Sequence, residues 1–255
     1  MQIAALCKWV PNPQGVQEIG PDNFVVRSGV EGALDPGDEF GLEAALQIAE
    51  ANGGEVTVVS MGPEDAVVAV QRGLAMGAAK GVLVTDDSLR GADVLVTAQV
   101  LAAALRRGSY DVVIGGVEST DGYTGTLPVT VAELLDLPSL TFAKKVEVSG
   151  TTARIDRQTE SGYDVVESSL PAVITVTAGA NEPRYPNLKG IMQAKQKPLE
   201  RLTVADLGLG ADDVESTQAV TSMRDAAAKA GGEIIEAGDD TAARIADLLA
   251  EAKVI

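Results

Sequence analysis

Between Asp111 and Pro138 the chain reads DVVIGGVESTDGYTGTLPVTVAELLDLP, and its best-spaced polar groups lie here. Hydroxyls at Ser119, Thr120, Thr124 and Thr126 surround two glycines, Gly122 and Gly125, and one carboxylate, Asp121. Hydroxyls bind an anion and glycines let it approach, so the chemistry on offer is capture of a phosphate, with Thr124, Gly125 and Thr126 as the best ligands. The segment has no Lys, which excludes a P-loop of the GxxxxGK[ST] type. The apolar run from Asp111 to Ile114 reads as a buried strand ending in Gly115-Gly116. Val131, Leu134 and Leu135 then mark one face of a helix. Such a strand, small-residue loop and helix N-terminus aim free N–H groups and the helix dipole at one point. An ordinary helix start accounts for Thr124–Thr126 equally well.

The elements around this loop form an alternating series. Ile3–Val10 reads as a first strand, stopped by Pro11-Asn12-Pro13, and Phe24-Val25-Val26 as part of an edge hairpin. Asp35-Pro36 starts a helix, Asp as cap and Pro at the first position. Leu42, Ala45, Leu46 and Ala49 form its stripe, and Asn52-Gly53-Gly54 ends it. Val56–Ser60 is a second strand, and Met61-Gly62-Pro63 leads to a helix with Val67, Val70 and Leu74, closed by Gly77. Gly81–Thr85, a helix over Ala92–Arg106, and the Asp111 strand follow. This alternation predicts a Rossmann-like three-layer α/β/α fold with a mostly parallel sheet.

After Pro138 the stretches Leu140–Val148, Thr152–Arg157, Tyr163–Ser168 and Ala172–Thr177 alternate like strands of a meander, so antiparallel strands are added. The last is apolar enough to re-enter the core. Asn181–Lys197 reads as a loop and short helix, and Ala205–Ala230 as a linker. Asp240-Thr241 starts a final helix with Ile245, Leu248 and Leu249 on one side. The expected organisation is a nucleotide-binding domain over 1–204 and a linker with a C-terminal arm over 205–255.

Composition excludes several classes. The 255 residues carry 20 Lys and Arg against 37 Asp and Glu, a net charge of −17, which opposes nucleic-acid binding. Histidine is absent and Cys7 is the single cysteine, which removes His-based triads, His metal sites and an internal disulfide. Cys7 reads as a small buried hydrophobe in a reducing compartment. The opening MQIAALCKWVP lacks a basic region and a signal-peptide-length apolar run, and no segment reaches the roughly 20 apolar residues of a membrane span. A cytoplasmic location is expected.

Four stretches resemble the β subunit of electron-transfer flavoprotein. They are Asp35-Pro36-Gly37-Asp38-Glu39 before Glu43-Ala44-Ala45-Leu46; Val58–Pro63 with Arg72–Ala78; the Ser119–Thr130 loop; and NEPRYPNLKGIMQAK over Asn181–Lys195. Leu170–Ile174, with Glu160 and Asp164 ahead of it, resembles the family's signature region.

The resemblance implies an electron carrier, not an enzyme. In that family the β subunit pairs with an α subunit that holds most of one FAD, and it buries one structural AMP. Electrons pass from acyl-CoA or other flavin dehydrogenases to a quinone-linked acceptor. Carried over, AMP contacts fall on Leu6, on Asp35, Pro36, Gly37 and Asp38, and on Met61. They continue on Asp121, Gly122, Tyr123, Thr124, Gly125, Thr126, Leu127, Pro128, Val129 and Thr130. Asp121 is expected to bond backbone N–H groups or the ribose. Some relatives carry an aromatic near the flavin where this chain has Gly37. Partner docking would fall on a loop over 181–197 through Glu182, Arg184, Tyr185, Leu188, Ile191, Met192 and Lys195, with Leu188 as anchor. Lys195 and Lys197 read equally as a solvated helix face.

The loop looks like the AMP-binding, non-bifurcating form. An electron-bifurcating variant with a second FAD in place of AMP stays open. So does a stand-alone adenine-nucleotide regulator of stress-protein-like fold, although Gly122-x-x-Gly125-Thr126 fits its phosphate motif poorly. An ATP-pyrophosphatase would need a Ser-Gly-Gly-x-Asp loop after the first strand, which Trp9–Pro13 lacks.

Overall fold

The computed structural model describes residues 1–11, 13–15, 17–224, 232 and 234–255. Asn12 of the expected strand stop and residues 225–230 of the expected linker lie outside them. The chain forms two compact units, Met1–Thr221 and Ser222–Ile255.

The first unit alternates strands and helices: β1 (Gln2–Leu6), β2 (Trp9–Pro11), β3 (Gly32–Leu34), α1 (Pro36–Asn52), β4 (Glu55–Met61), α2 (Val67–Met76), β5 (Lys80–Val84), α3 (Val94–Arg106), β6 (Val112–Gly116) and α4 (Leu127–Leu135). Then come β7 (Ser139–Ser149), β8 (Thr152–Thr159), β9 (Gly162–Ser169), β10 (Ala172–Val176), α5 (Leu188–Ala194) and β11 (Leu199–Leu202). The main sheet has the order β11-β5-β4-β1-β6-β10-β7-β8-β9. From β11 to β7 the pairs are parallel, and β7-β8-β9 are antiparallel.

Parallel strands covered on both faces must be apolar on both, and these are. Ile3, Val58 and Ile114 pack with Leu42, Leu46, Val70 and Leu74 on one face. Ala4, Val59 and Val113 pack with Val96, Val100 and Val131 on the other. Helices α1 and α2 thus cover one side, and α3 and α4 the other. The expected α1 cap is present: Asp35 Oδ1 accepts from Gly37 N, Pro36 is the first helical residue, and Gly53 closes the helix in the left-handed region.

Three expectations change. The expected single strand over Ile3–Val10 breaks at Cys7-Lys8, because Lys8 N donates to Asp38 Oδ2 at 2.8 Å and Lys8 O accepts from Asp35 N at 2.9 Å. These bonds turn the chain into a small β2-β3 hairpin. Phe24–Val26 forms only an isolated bridge, Ile19 with Val25. The strand over Ala172–Val176 re-enters the core, as its apolar run predicts, but it leaves the meander to do so. It inserts between β6 and β7, parallel to both, as its wholly apolar run requires. Strand β11 has no sequence counterpart, since four residues on a sheet edge carry too little pattern.

Residues 205–221 make two short 3-10 turns. Within the first unit, Val214 is buried, and Thr217 N and Oγ1 donate to Asp93 Oδ2 at 2.9 and 3.1 Å. The second unit contains α6 (Thr241–Glu251), where Ile245, Leu248 and Leu249 are exposed. Among the described residues no helix is long and apolar enough to cross a membrane.

Candidate functional site

From β1 the chain winds through β4 and β5 on one side and then returns to β6 on the other. Strands β1 and β6 therefore flank a topological switch point, where open α/β sheets hold ligands beyond their carboxyl ends. Leu6 lies beside Val59 of β4, and Ala5 beside Ile114 of β6, so Leu6-Cys7, Ser60-Met61 and Gly115-Gly116 end side by side. A close approach of α1 to β6 shapes the crevice. A Cβ on Gly41 would lie 2.8 Å from the Gly115 carbonyl carbon, and one on Gly116 would lie 2.9 Å from Asp38 Oδ1. Gly37 is confined less tightly, since its Cβ would sit 3.1 Å from Asp35 Oδ1 and 3.3 Å from Glu118 O.

Two buried carboxylates bind this corner together. Asp35 Oδ2 accepts from both Thr120 N and Thr120 Oγ1 at 2.7 Å, which joins the α1 cap to the loop after β6. Asp38 accepts from Lys8 N and, at 3.1 Å, from Gly116 N, bridging the ends of β1 and β6. Burial, reinforced by the neighbouring Asp35 charge, pushes the Asp38 carboxyl up to about 7. Cys7 is buried and free, its thiol raised well above the usual range by burial and then by the Asp38 charge.

Of the two roles expected of Asp121, bonding backbone N–H groups or a ribose, the first is not seen. Its fully buried carboxylate pairs with Lys8 Nζ at 2.7 Å and with the Arg27 guanidinium. Burial works against its charge, but Lys8 and Arg27 outweigh burial and hold the carboxyl below the ordinary range. Lys8 Nζ also donates to Ser119 Oγ at 3.1 Å. Lys8 thus touches Asp35, Asp38, Ser119 and Asp121, although a lysine at a strand end carries no sequence signal of such a role. Arg27, in an irregular segment, was equally illegible.

The loop then turns sharply. Tyr123 N donates to Ser119 O at 2.9 Å, and Tyr123 and Gly125 both take left-handed backbone with φ of 48° and 64°. Thr126 stands at the N-cap of α4 but makes no side-chain cap bond. The ordinary capping account therefore fails for its hydroxyl. Leu127, Pro128, Val129 and Thr130 form the first turn, whose Leu127 and Val129 N–H groups have no carbonyl ahead of them in the helix. Thr124 and Thr126 are exposed beside them. On β4, next to Met61, Ser60 Oγ is buried without a hydrogen-bond partner among the described residues. An uncapped helix N-terminus, hydroxyls and close-packed glycines suit a nucleotide phosphate. Among the described residues no His, Cys, Asp and Glu group is arranged to hold a metal ion.

The segment over 181–197 lies on α1 and α2 rather than at the crevice. Arg184 donates to the buried Glu43 and to Glu50 of α1, so its charge is engaged within the chain. This gives NEPRY a structural part. Tyr185 is 88% exposed, Leu188 75% and Met192 64%, with Ile191 beside them. Glu182, Lys189 and Lys195 are also exposed. Lys197 is not part of a solvated face. Its ammonium donates to Leu74 O and Ala78 O at 2.8 and 2.6 Å, at the C-terminal end of α2.

Residues 22–207 match the family model described as the electron transfer flavoprotein domain. The chain is 38% identical over 263 residues to an electron transfer flavoprotein subunit beta of Mycobacterium tuberculosis, covering 99% of both chains. It is 39% identical over 206 residues to the subunit beta of Thermoanaerobacterium thermosaccharolyticum, covering 81% of this chain and 79% of that one. To that of Megasphaera elsdenii it is 32% identical over 264 residues, covering 98% and 97%.

Proposed function

We propose a role for this chain from the premise that it belongs to the electron transfer flavoprotein family, as a β subunit and thus an electron carrier rather than an enzyme. It pairs with an α subunit, in the cytoplasm, and together they hold one FAD seated mainly on α. When bound, that flavin supplies the redox chemistry. This chain binds AMP structurally and presents its exposed loop to flavin dehydrogenases of the acyl-CoA type, and the complex passes electrons on to a quinone-linked acceptor.

The observation that carries the AMP reading is the uncapped α4 N-terminus at the switch point. Thr124 and Thr126 hydroxyls and the Leu127 and Val129 N–H groups would hold the phosphate. Asp35 and Asp38 would fix the α1 end of the crevice, with Leu6 and Met61 beneath the nucleotide. Hydrogen bonds to a charged group contribute about 1.5–3 kcal/mol each. Thr124→Ala with Thr126→Ala is therefore expected to lose AMP from the purified complex and to weaken assembly with α. Full retention of AMP would refute the assignment.

Docking rests on Leu188, an exposed apolar anchor with polar neighbours, a pattern suited to brief contacts. Leu188→Ala is expected to raise the apparent KM for a reduced dehydrogenase while flavin content stays unchanged.

A further inference from the structure

Residues 177–187 are turns and irregular backbone, yet Tyr185 and Leu188 need a fixed place if they dock a partner. One side chain supplies most of the hold. Arg184 donates to the Glu43 carboxylate from N, Nε and Nη2 at 3.1, 2.8 and 2.9 Å. It donates to Glu50 from Nη1 and Nη2 at 2.5 and 3.2 Å. Glu43 is 3% exposed, and Gln47 Nε2 donates to its Oε1 at 2.9 Å. Burial disfavours the Glu43 charge, but the Arg184 contacts prevail and lower its carboxyl.

Smaller contacts complete the mount. Asn181 Nδ2 donates to Phe40 O at 2.9 Å. Arg72 of α2 pairs with Glu39 at 3.1 Å, and its guanidinium carbon lies 5.6 Å from the centre of the Tyr185 ring. Gly190 presses α5 against α2, where an added Cβ would stand 2.5 Å from Ala75 O.

We infer that Arg184 is a positioning residue for the docking face, a reading that rests on the docking role proposed above. Its guanidinium acts within the chain, on two carboxylates seven residues, about two helical turns, apart on α1, and so fixes the backbone that carries Tyr185 and Leu188. Only a planar fork with several N–H donors meets both carboxylates at once, so a lysine would keep the charge and lose the geometry.

The test uses the α/β complex and an acyl-CoA dehydrogenase, reduced by its acyl-CoA, that the wild-type complex oxidises with saturation. Arg184→Met alone strands a buried carboxylate, so it is paired with Glu43→Gln, which keeps the Gln47 contact and removes the charge. The double variant is expected to raise KM at least tenfold with kcat and flavin content unchanged, and to speed exchange of the Arg184 amide, which donates to the residue at 43, at least tenfold. Arg184→Lys is expected to fall between. Leu188→Ala run alongside separates the two ideas. A raised KM for Leu188→Ala with an unchanged KM and unchanged exchange for the double variant overturns the positioning role and leaves docking intact. An unchanged KM for Leu188→Ala overturns docking itself.

Discussion

At the scale of single residues, charge placement decides the behaviour of the crevice. Asp38 is held protonated to about 7 by burial and by Asp35. Between about pH 4, where a free Asp releases its proton, and pH 7, the folded chain keeps a proton that the unfolded chain has lost. Stability from this site is thus full below that window and falls as pH rises through it, by no more than about 1.4 kcal/mol per pH unit, levelling above 7. The difference in unfolding free energy between the wild type and Asp38→Asn, measured by urea titration at several pH values, is expected to show that decline. A difference independent of pH would remove Asp38 as its source. Asp121 behaves oppositely, since Lys8 and Arg27 favour its charge. Lys8→Met leaves Arg27 alone on that buried carboxylate and frees Ser119, so AMP affinity by equilibrium dialysis is expected to drop about tenfold, the loss of one charged hydrogen bond. An unchanged affinity would separate Lys8 from the loop's function.

At the scale of elements, α1 carries both regions. Its cap and first turn reach the crevice through Asp35 and Asp38, and its middle and last turn hold the exposed loop through Glu43 and Glu50. It also lies against β6 at Gly41. In an exposed helix, Gly to Ala stabilises by about 1 kcal/mol. At Gly41 the added carbon meets backbone that cannot yield, so Gly41→Ala is expected to destabilise by about 1–3 kcal/mol in urea unfolding. A stabilised variant would contradict the close approach. The caps, glycine stops and apolar runs of α1, α2, β4, β5 and β6 were legible because each is set by neighbours in sequence. The return of β10 to the core was legible from its apolar run, but the break after Leu6 and the Lys8 and Arg184 contacts were not. They depend on partners tens of residues away, Asp38 for Lys8 and Glu43 for Arg184, and local pattern says nothing of such pairs.

At the scale of the whole molecule, the first unit owns both apolar cores and the candidate site, and α6 contributes no buried residue. A chain ending at Thr221 is therefore expected to unfold in urea with a midpoint close to that of the full chain. A large loss of stability would assign the second unit to the core. The same truncation is expected to recover less α subunit on co-purification, which is where the exposed Ile245, Leu248 and Leu249 would act. The proposal of an AMP-bearing β subunit in a flavin-carrying pair is tested by purifying this chain with its natural partners, followed by native mass spectrometry, a visible spectrum and analysis of the nucleotide released on denaturation. One α subunit, one FAD and one AMP per complex are predicted. A lone colourless chain carrying ATP would contradict the carrier role, and a second FAD in place of AMP would contradict the nucleotide assignment.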